Sequence, residues 1–451
     1  MRNLAKEFRP IFSRQLILLA LVTVLWSPRA VFAEREIIVG VGTPSSCTEW
    51  ALQDALFASS LNSGGVIQFS CGPNPVTITI TANTLLPDGS RVAVLPPNGT
   101  TIDGGDRITL TSSDTPGSLM AVTSGVTVTL KRLVLQGTPV SPDSLPFGVR
   151  PAPNVVNRGA LFIQNVTMSL TGDGTSIAPA SVENRGSLKI QDSTVAGIRG
   201  TYLSSAPIQN FGNATIDHST FANNGHSPYE FRGIDDGGAI FNSGLLLVNN
   251  SVFSDNAVFN LGGGGAIANL GGTVTVIGTQ FVRNSAYHGG AIENRLGGTI
   301  TVTNSTFDGN SGFEAGALLG SYAEAAFSAV IVKHCTFLRN SATWGGAIEH
   351  MNGTLRVENS RIVGNFAVHG GGVTGARAEI TIVNSDITSN NALLGGGIYS
   401  QNADAITLVN SAVKSNVAHF GGGIYLSSTS SLKLVRTEIA GNTPDDLWQD
   451  E

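Results

Sequence analysis

Charge is scarce in this chain: Lys, Arg, Asp and Glu make up 13% of its 451 residues, against about 25% in an ordinary soluble domain. The 26 basic side chains are outnumbered by 32 acidic ones and nowhere cluster. That excludes a phosphate-binding surface, and with it nucleic acid as a partner. Cysteine is also rare, at three residues, which is too few for a disulfide-built scaffold. No His/Cys/Glu spacing suggests zinc, and no nucleophile elbow suggests Ser-His-Asp chemistry. The one long apolar run, residues 16–26, is too short to cross a bilayer. It follows Arg2, Lys6, Arg9 and Arg14 and precedes Val31-Phe32-Ala33, the pattern of a secretory signal peptide cleaved after residue 33. The mature chain is therefore expected to be exported and to carry no integral membrane segment. Of its cysteines, Cys47 and Cys71 flank one short segment and are expected to form a disulfide in an oxidising compartment. Cys335 is left over as a small buried side chain.

What the chain has instead is glycine, 55 residues of it, set in a repeat. Gly-Gly pairs begin at Gly237, Gly264, Gly289, Gly345, Gly370, Gly395 and Gly421, with Ala315-Gly316 filling the one gap. About fourteen residues after a pair comes a motif such as Asn304-Ser305-x-Phe307, and three residues after its large apolar position an Asn follows. These Asn residues are Asn224, Asn256, Asn284, Asn310, Asn340, Asn365, Asn390, Asn416 and Asn442. A second series, Asn157, Asn184, Asn210, Asn242, Asn269 and Asn294, recurs in an apolar-x-Asn context. Between these marks the residues alternate with the period of a half-buried strand, as in Thr299-Ile300-Thr301-Val302-Thr303, and almost nowhere with that of a helix.

A unit of about 26 residues made of short strands and tight turns cannot bury its apolar face alone, but stacked units can. The expected fold is all-β: a right-handed parallel β-helix with three short strands per rung, about 14 rungs spaced about 4.8 Å apart, and a short N-terminal capping helix. The Asn series then become ladders, each amide donating to one rung and accepting from the next, at positions that tolerate left-handed backbone. Residues 47–57 form the capping helix, with Trp50, Leu52, Ala55 and Leu56 expected to cover the first rung. The expected organisation is a signal peptide at 1–33, an N-terminal cap at 34–75, the β-helix at 76–443, and an acidic tail or small cap at 444–451.

The pairing of Gly-Gly-Ala-Ile, at 237, 264, 289 and 345, with Phe-x-x-Asn or Ile-x-x-Asn further on in the same order resembles the repeat of the polymorphic outer-membrane protein family. The N-terminal stretch Cys47-Thr48-Glu49-Trp50-Ala51-Leu52 is similar to the cap of exported bacterial β-helix repeat proteins. The resemblance implies a β-helix at the bacterial surface, extracellular, cell-surface or outer-membrane associated, that serves in adhesion. The family ends in a membrane-embedded barrel and this chain stops soon after its last repeat, so release, or attachment through another component, is expected.

The same fold is shared with pectin lyases, pectate lyases and polygalacturonases, so an enzyme acting on acidic polysaccharide is the alternative. Its candidate catalytic residues are the adjacent pair Asp235 and Asp236, which would divide acid and base roles, with Arg232 just before them. A solvated turn explains the same pair. No cofactor is expected, although a lyase would add calcium. Length variation falls at one point of the repeat, at 137–153, 197–206 and 225–236, so the longer loops emerge along one edge. That edge carries Tyr229, Tyr287, His288, Phe313, Glu314, Trp344, His369 and His419. They form either a platform for an extracellular glycan or protein surface, or covers folded over their own turns.

Overall fold

The computed structural model describes residues 35–450 apart from 82–83, 86–90, 114–116, 140–151, 171–176, 201–205, 227–236, 260, 322–326 and 403. Residues 1–33, expected to be a signal peptide, lie outside the described residues. From residue 36 onward the chain winds in a coil whose turns each lay down three short strands. One rung reads Ile292–Arg295, Thr299–Thr303, Thr306–Asp308, and each of these pairs in parallel with its counterparts one repeat before and after. The third strands form a 14-stranded sheet. The first and second strands share a 28-stranded one, because in two rungs the corner between them stays extended and a single strand, Ile348–Glu358 or Val373–Val383, runs through both. One pairing, Thr84–Leu85 with Arg91–Val94, is antiparallel.

Stacking puts like on like. Phe221, Phe253, Phe281, Phe307 and Phe337 are fully buried and stack with centroids 4.7–5.1 Å apart. Ile292 and Ile300 face the same interior. The interior is apolar because each inward position repeats an apolar residue, and burying one such side chain contributes about 1.5–3 kcal/mol.

The corners are polar and are satisfied by ladders. Asn157 through Asn294 form one, each Nδ2 donating to the next Oδ1 at 2.6–2.7 Å. It ends where the column becomes Gly320, His350 and Gly375, so that Asn294 donates to the Gly320 carbonyl instead. Asn224 through Asn442 form the second, in which each Oδ1 also accepts the backbone N–H of the Asn one rung earlier. The left-handed backbone expected at the ladder Asn falls elsewhere. It belongs to the residue just before each rung of the second ladder, such as Asp255, Arg283, Arg339 and Ser389, and to the first residue of the polar pair, such as Asn304 and Asn384. The residue before turns the chain so that the ladder amide points inward with ordinary backbone.

A third ladder is made of hydroxyls. Ser193, Ser219, Ser251, Thr279 and Ser305 each accept a backbone N–H from the previous rung, and Ser360, Ser385 and Ser411 continue the column. Cys335 occupies this column, buried, with its thiol donating to the Lys333 carbonyl at 3.1 Å and its sulfur receiving the Ser305 N–H. Burial pushes the thiol up to about 11, so the native protein is expected to resist thiol labelling. Cys335→Ser keeps both contacts and is expected to leave stability nearly unchanged. Cys335→Val strands the Ser305 N–H and is expected to cost about 1–3 kcal/mol in urea unfolding.

The ends differ from expectation in three ways. The parallel ladder already begins at Glu36–Val39, which pairs with Gly65–Phe69, upstream of the boundary expected at 76. Helix α1, Glu49–Leu61, is capped by the Thr48 side chain and buries Leu52, Ala55 and Leu56 against that first rung, with the disulfide Cys47–Cys71 closing the cap. Trp50, however, points to solvent, 75% exposed, because it sits on the face of the helix opposite Leu52. The C-terminal segment adds a strand, Leu447–Gln449, and Asp446 takes the place of an Asn, receiving both the Asn442 N–H and its Nδ2.

Candidate functional site along the turn edge

After the third strand of each rung, the chain crosses to the next Gly pair through a short turn, and the turns also stack. Their bridges run Ser285, Ser311, Ser341, Phe366, Asn391, Val417 in one column and His288, Glu314, Trp344, His369, Leu394, Phe420 in another. The first Gly of each pair is left-handed, as at Gly289 with φ 61°, and this reverses the chain so that the second column lies back over the outward side of the first strand. The positions there are Glu293, Leu319, Glu349 and Thr374, all buried although they face away from the core.

This separates the residues that the sequence placed on the edge. His288 is buried and its Nδ1 lies 2.8 Å from Glu314 Oε2. Trp344 and His369 stack face to face at 3.8 Å, with Tyr399 5.2 Å from His369. His288, Glu314, Trp344 and His369, in one turn column, act as covers over the outward face of the sheet. Burial lowers the pKa of His369. Burial, with Glu314 nearby, pushes the Glu349 carboxyl well above the usual range, and its Oε2 accepts the Ala315 N–H at 3.1 Å. His419 is exposed beside Phe420, away from the others.

Tyr287 and Phe313, one column over, do the opposite. They stack on each other with centroids 4.6 Å apart; Tyr287 is half-buried, and Phe313 is open at 42% exposed with Phe259 at 43% in the rung before. The Tyr287 carbonyl accepts both the Phe313 and Glu314 N–H groups at 2.9 Å, which fixes the turn and hence the rings. Phe259, Tyr287 and Phe313 line one open groove of about 290 Å³ with Ser285, Ser311 and Gly312. The turn itself requires Gly312, since a Cβ there would come within 2.4 Å of the Ala315 carbonyl oxygen. Sequence reasoning passed over Phe259, Ser285 and Ser311; the signal available was their spacing of one rung from Tyr287, Phe313 and Ser341.

Tyr229, Arg232, Asp235 and Asp236 lie outside the described residues. Among the described residues no group of three or more His, Cys, Asp or Glu side chains is arranged to hold a metal ion, and no helix is long and apolar enough to cross a membrane.

Comparison with known proteins bears on the coil. A family model described as "Right handed beta helix region" matches residues 242–386 and 313–443. No curated protein matches the chain. Among solved structures, it is similar to the catalytic unit of a GH87 α-1,3-glucanase from Streptomyces thermodiastaticus strain HF3-3, with 15% identity over 93% of this chain and 70% of that one, TM-score 0.39. It is also similar to PfbA, a surface adhesin of Streptococcus pneumoniae, at 12% identity over 90% and 93% of the two chains, TM-score 0.36. A mannuronic acid specific polysaccharide family 6 lyase from human gut microbiota matches at 12% identity over 89% and 82%, TM-score 0.41. These scores are low, so the fold rests on the family model and on the chain's own register: the chain is a right-handed parallel β-helix.

Proposed function

We propose that this is an exported β-helix, surface-associated or secreted, that binds an extracellular glycan along its turn edge without chemistry of its own. The observation that carries the reading is the groove of Phe259, Tyr287 and Phe313 beside Ser285 and Ser311. Open aromatic faces suit the apolar faces of sugar rings, and neighbouring hydroxyls suit their edges. The repeat sets those features one rung apart, so a linear polymer lying along the coil would meet similar partners in succession. The low net charge and the lack of a basic cluster favour a neutral chain over a strongly anionic one. His288 and Glu314, which directly follow Tyr287 and Phe313 in the chain, are engaged with each other.

Titrating a panel of neutral and acidic polysaccharides by affinity electrophoresis and calorimetry tests this. Phe313→Ala and Tyr287→Ala are expected to weaken binding at least tenfold each, about 1.4 kcal/mol or more, while Trp344→Ala, which opens a cover outside the groove, changes it little. Unchanged affinity of the groove variants across the panel would sink the reading. Release of reducing ends or unsaturated product that disappears in the Asp235→Asn, Asp236→Asn double variant would replace it with the polysaccharide-cleaving alternative.

A further inference from the structure

The two outward turn columns that carry Ser311 and Phe313 run on past the groove. One continues through Ser341, Phe366, Asn391 and Val417, the other through Thr343, Val368, Leu393 and His419. Between them the chain dips inward at Ala367 and Ala392, both buried, so the columns stand as two ridges about 6–7 Å apart over a floor of small residues. Their chemistry changes along the coil. Beside the groove they present hydroxyls and rings, whereas Phe366, Leu393 and Val417 are apolar and 55%, 51% and 44% exposed. A ridge position that accepts Ser in one rung does not need Phe in the next for the sake of the fold, and large apolar side chains gathered in water mark a surface that meets a partner.

Asn391 says what that partner carries. It stands between Phe366 and Val417 in its column, exposed, and among the described residues its amide makes no hydrogen bond. No Lys, Arg, Asp or Glu occupies either ridge from Ser285 to His419, so an anionic polymer or a charged headgroup finds no counter-charge here. An extended peptide would dock by pairing its backbone with a free strand edge, but the turn is already paired with the rungs on both sides. A plain sugar would set its hydroxyls against apolar walls that cannot bond them. An acetamido group fits: its methyl lies against Phe366, Leu393 or Val417, while the Asn391 amide donates to its carbonyl and accepts its N–H.

We infer that the glycan read as the ligand of the turn edge is N-acetylated, an inference that rests on that reading and narrows it. Its chain lies along the two ridges, with sugar rings on Phe313 and Tyr287 and acetamido groups seated among Phe366, Asn391, Leu393 and Val417. Phe313 and Leu393 are three rungs apart, about 14 Å, so one chain of several sugars reaches both parts at once, and each part strengthens the hold of the other.

Calorimetric titration of the full chain with N-acetylglucosamine oligomers, and with glucose oligomers of the same linkage and length, tests the inference. The two ligands differ only in an acetamido in place of one hydroxyl on each sugar. The acetylated oligomer is expected to bind at least about tenfold tighter. Asn391→Leu and Leu393→Ser are each expected to erase most of that preference and to leave the affinity for the glucose oligomer unchanged, whereas Phe313→Ala weakens both ligands alike. Far-ultraviolet circular dichroism and the unfolding midpoint should not move, because both side chains are exposed on ordinary backbone. Should Asn391→Leu fold poorly, Asn391→Asp keeps the shape and removes the donor. Equal affinity for the two oligomers overturns the inference and leaves the glycan reading standing, as does a preference that survives both substitutions. If neither oligomer binds, the inference falls, and the polysaccharide panel decides the glycan reading by itself.

Discussion

Replacing Asn310 by Leu is expected to cost on the order of 5 kcal/mol, enough to remove much of the margin on which a folded chain rests. The amide of Asn310 makes four hydrogen bonds. Its Nδ2 donates to the Phe281 carbonyl at 3.0 Å and to Asn340 Oδ1 at 2.9 Å. Its Oδ1 accepts the Asn284 N–H at 2.9 Å and Asn284 Nδ2 at 3.0 Å. Leucine fills much the same volume but leaves two donors of Asn284 and one carbonyl buried without partners, at about 1–3 kcal/mol each. The position beside Phe307 in the core is otherwise undisturbed, so the loss reports the ladder and not a cavity.

Asn410 provides the contrast. It is exposed, and its Nδ2 donates to Asn384 Oδ1 at 3.1 Å on the outer surface, where water replaces the lost partner. Asn410 has left-handed backbone, φ 47°, so Asn410→Leu is expected to cost about 1–2 kcal/mol of backbone strain and little for the lost bond. Urea unfolding gives the two totals, and hydrogen exchange locates them. In a coil whose rungs touch only their neighbours, the Asn310 variant is expected to lose protection first in the rungs that hold Phe281, Phe307 and Phe337. Equal costs for the two substitutions would mean that the inner ladder carries no special weight.

The same contrast explains what could be read from the sequence. Inner Asn and Phe columns were legible because a buried corner admits one solution and repeats it, so the residue type survives from Asn224 to Asn442 and from Phe221 to Phe337. The turn edge was only partly legible. Its column through Ser285, Ser311, Phe366 and Val417 faces solvent, and nothing in the coil constrains its residue type. Nor does position in the repeat tell whether a ring opens outward like Phe313 or lies down as a cover like Trp344; that depends on the first Gly of the pair bringing one turn column over the sheet and leaving its neighbour free. Trp50 misled for a related reason. A helix with two apolar faces offers no periodic clue as to which one meets the core, and the choice is made by the fit of Leu52 and Leu56 to the first rung.

Where the Asn294 ladder stops, the interior becomes titratable, and acid should expose two opposed effects. His350 stands in that column, buried, with neither ring nitrogen hydrogen-bonded, packed over Gly320, where a Cβ would come within 1.8 Å of Nδ1. Burial lowers its pKa from 6.5 to about 4. The folded state therefore binds fewer protons than the unfolded state between those values, and stability falls as pH drops through that window, by about 3 kcal/mol. Asp404, two rungs on, is buried with its carboxylate accepting the Ala378 N–H and the Ser400 hydroxyl. Burial raises it from 3.8 to about 6, so the folded state binds more protons there and stability rises as pH drops, again by about 3 kcal/mol. Glu349, raised by burial, acts in the same direction as Asp404. The wild-type profile is thus a sum of opposed contributions, and the variants take it apart. Relative to wild type, His350→Asn is expected to gain about 3 kcal/mol on going from pH 6.5 to 4, and Asp404→Asn to lose about as much from pH 6 to 4. Urea midpoints measured at half-unit pH steps decide it. Profiles that run parallel to wild type would show that His350 and Asp404 do not titrate as their burial requires, and profiles that diverge in the same direction would show that one of the two signs is wrong.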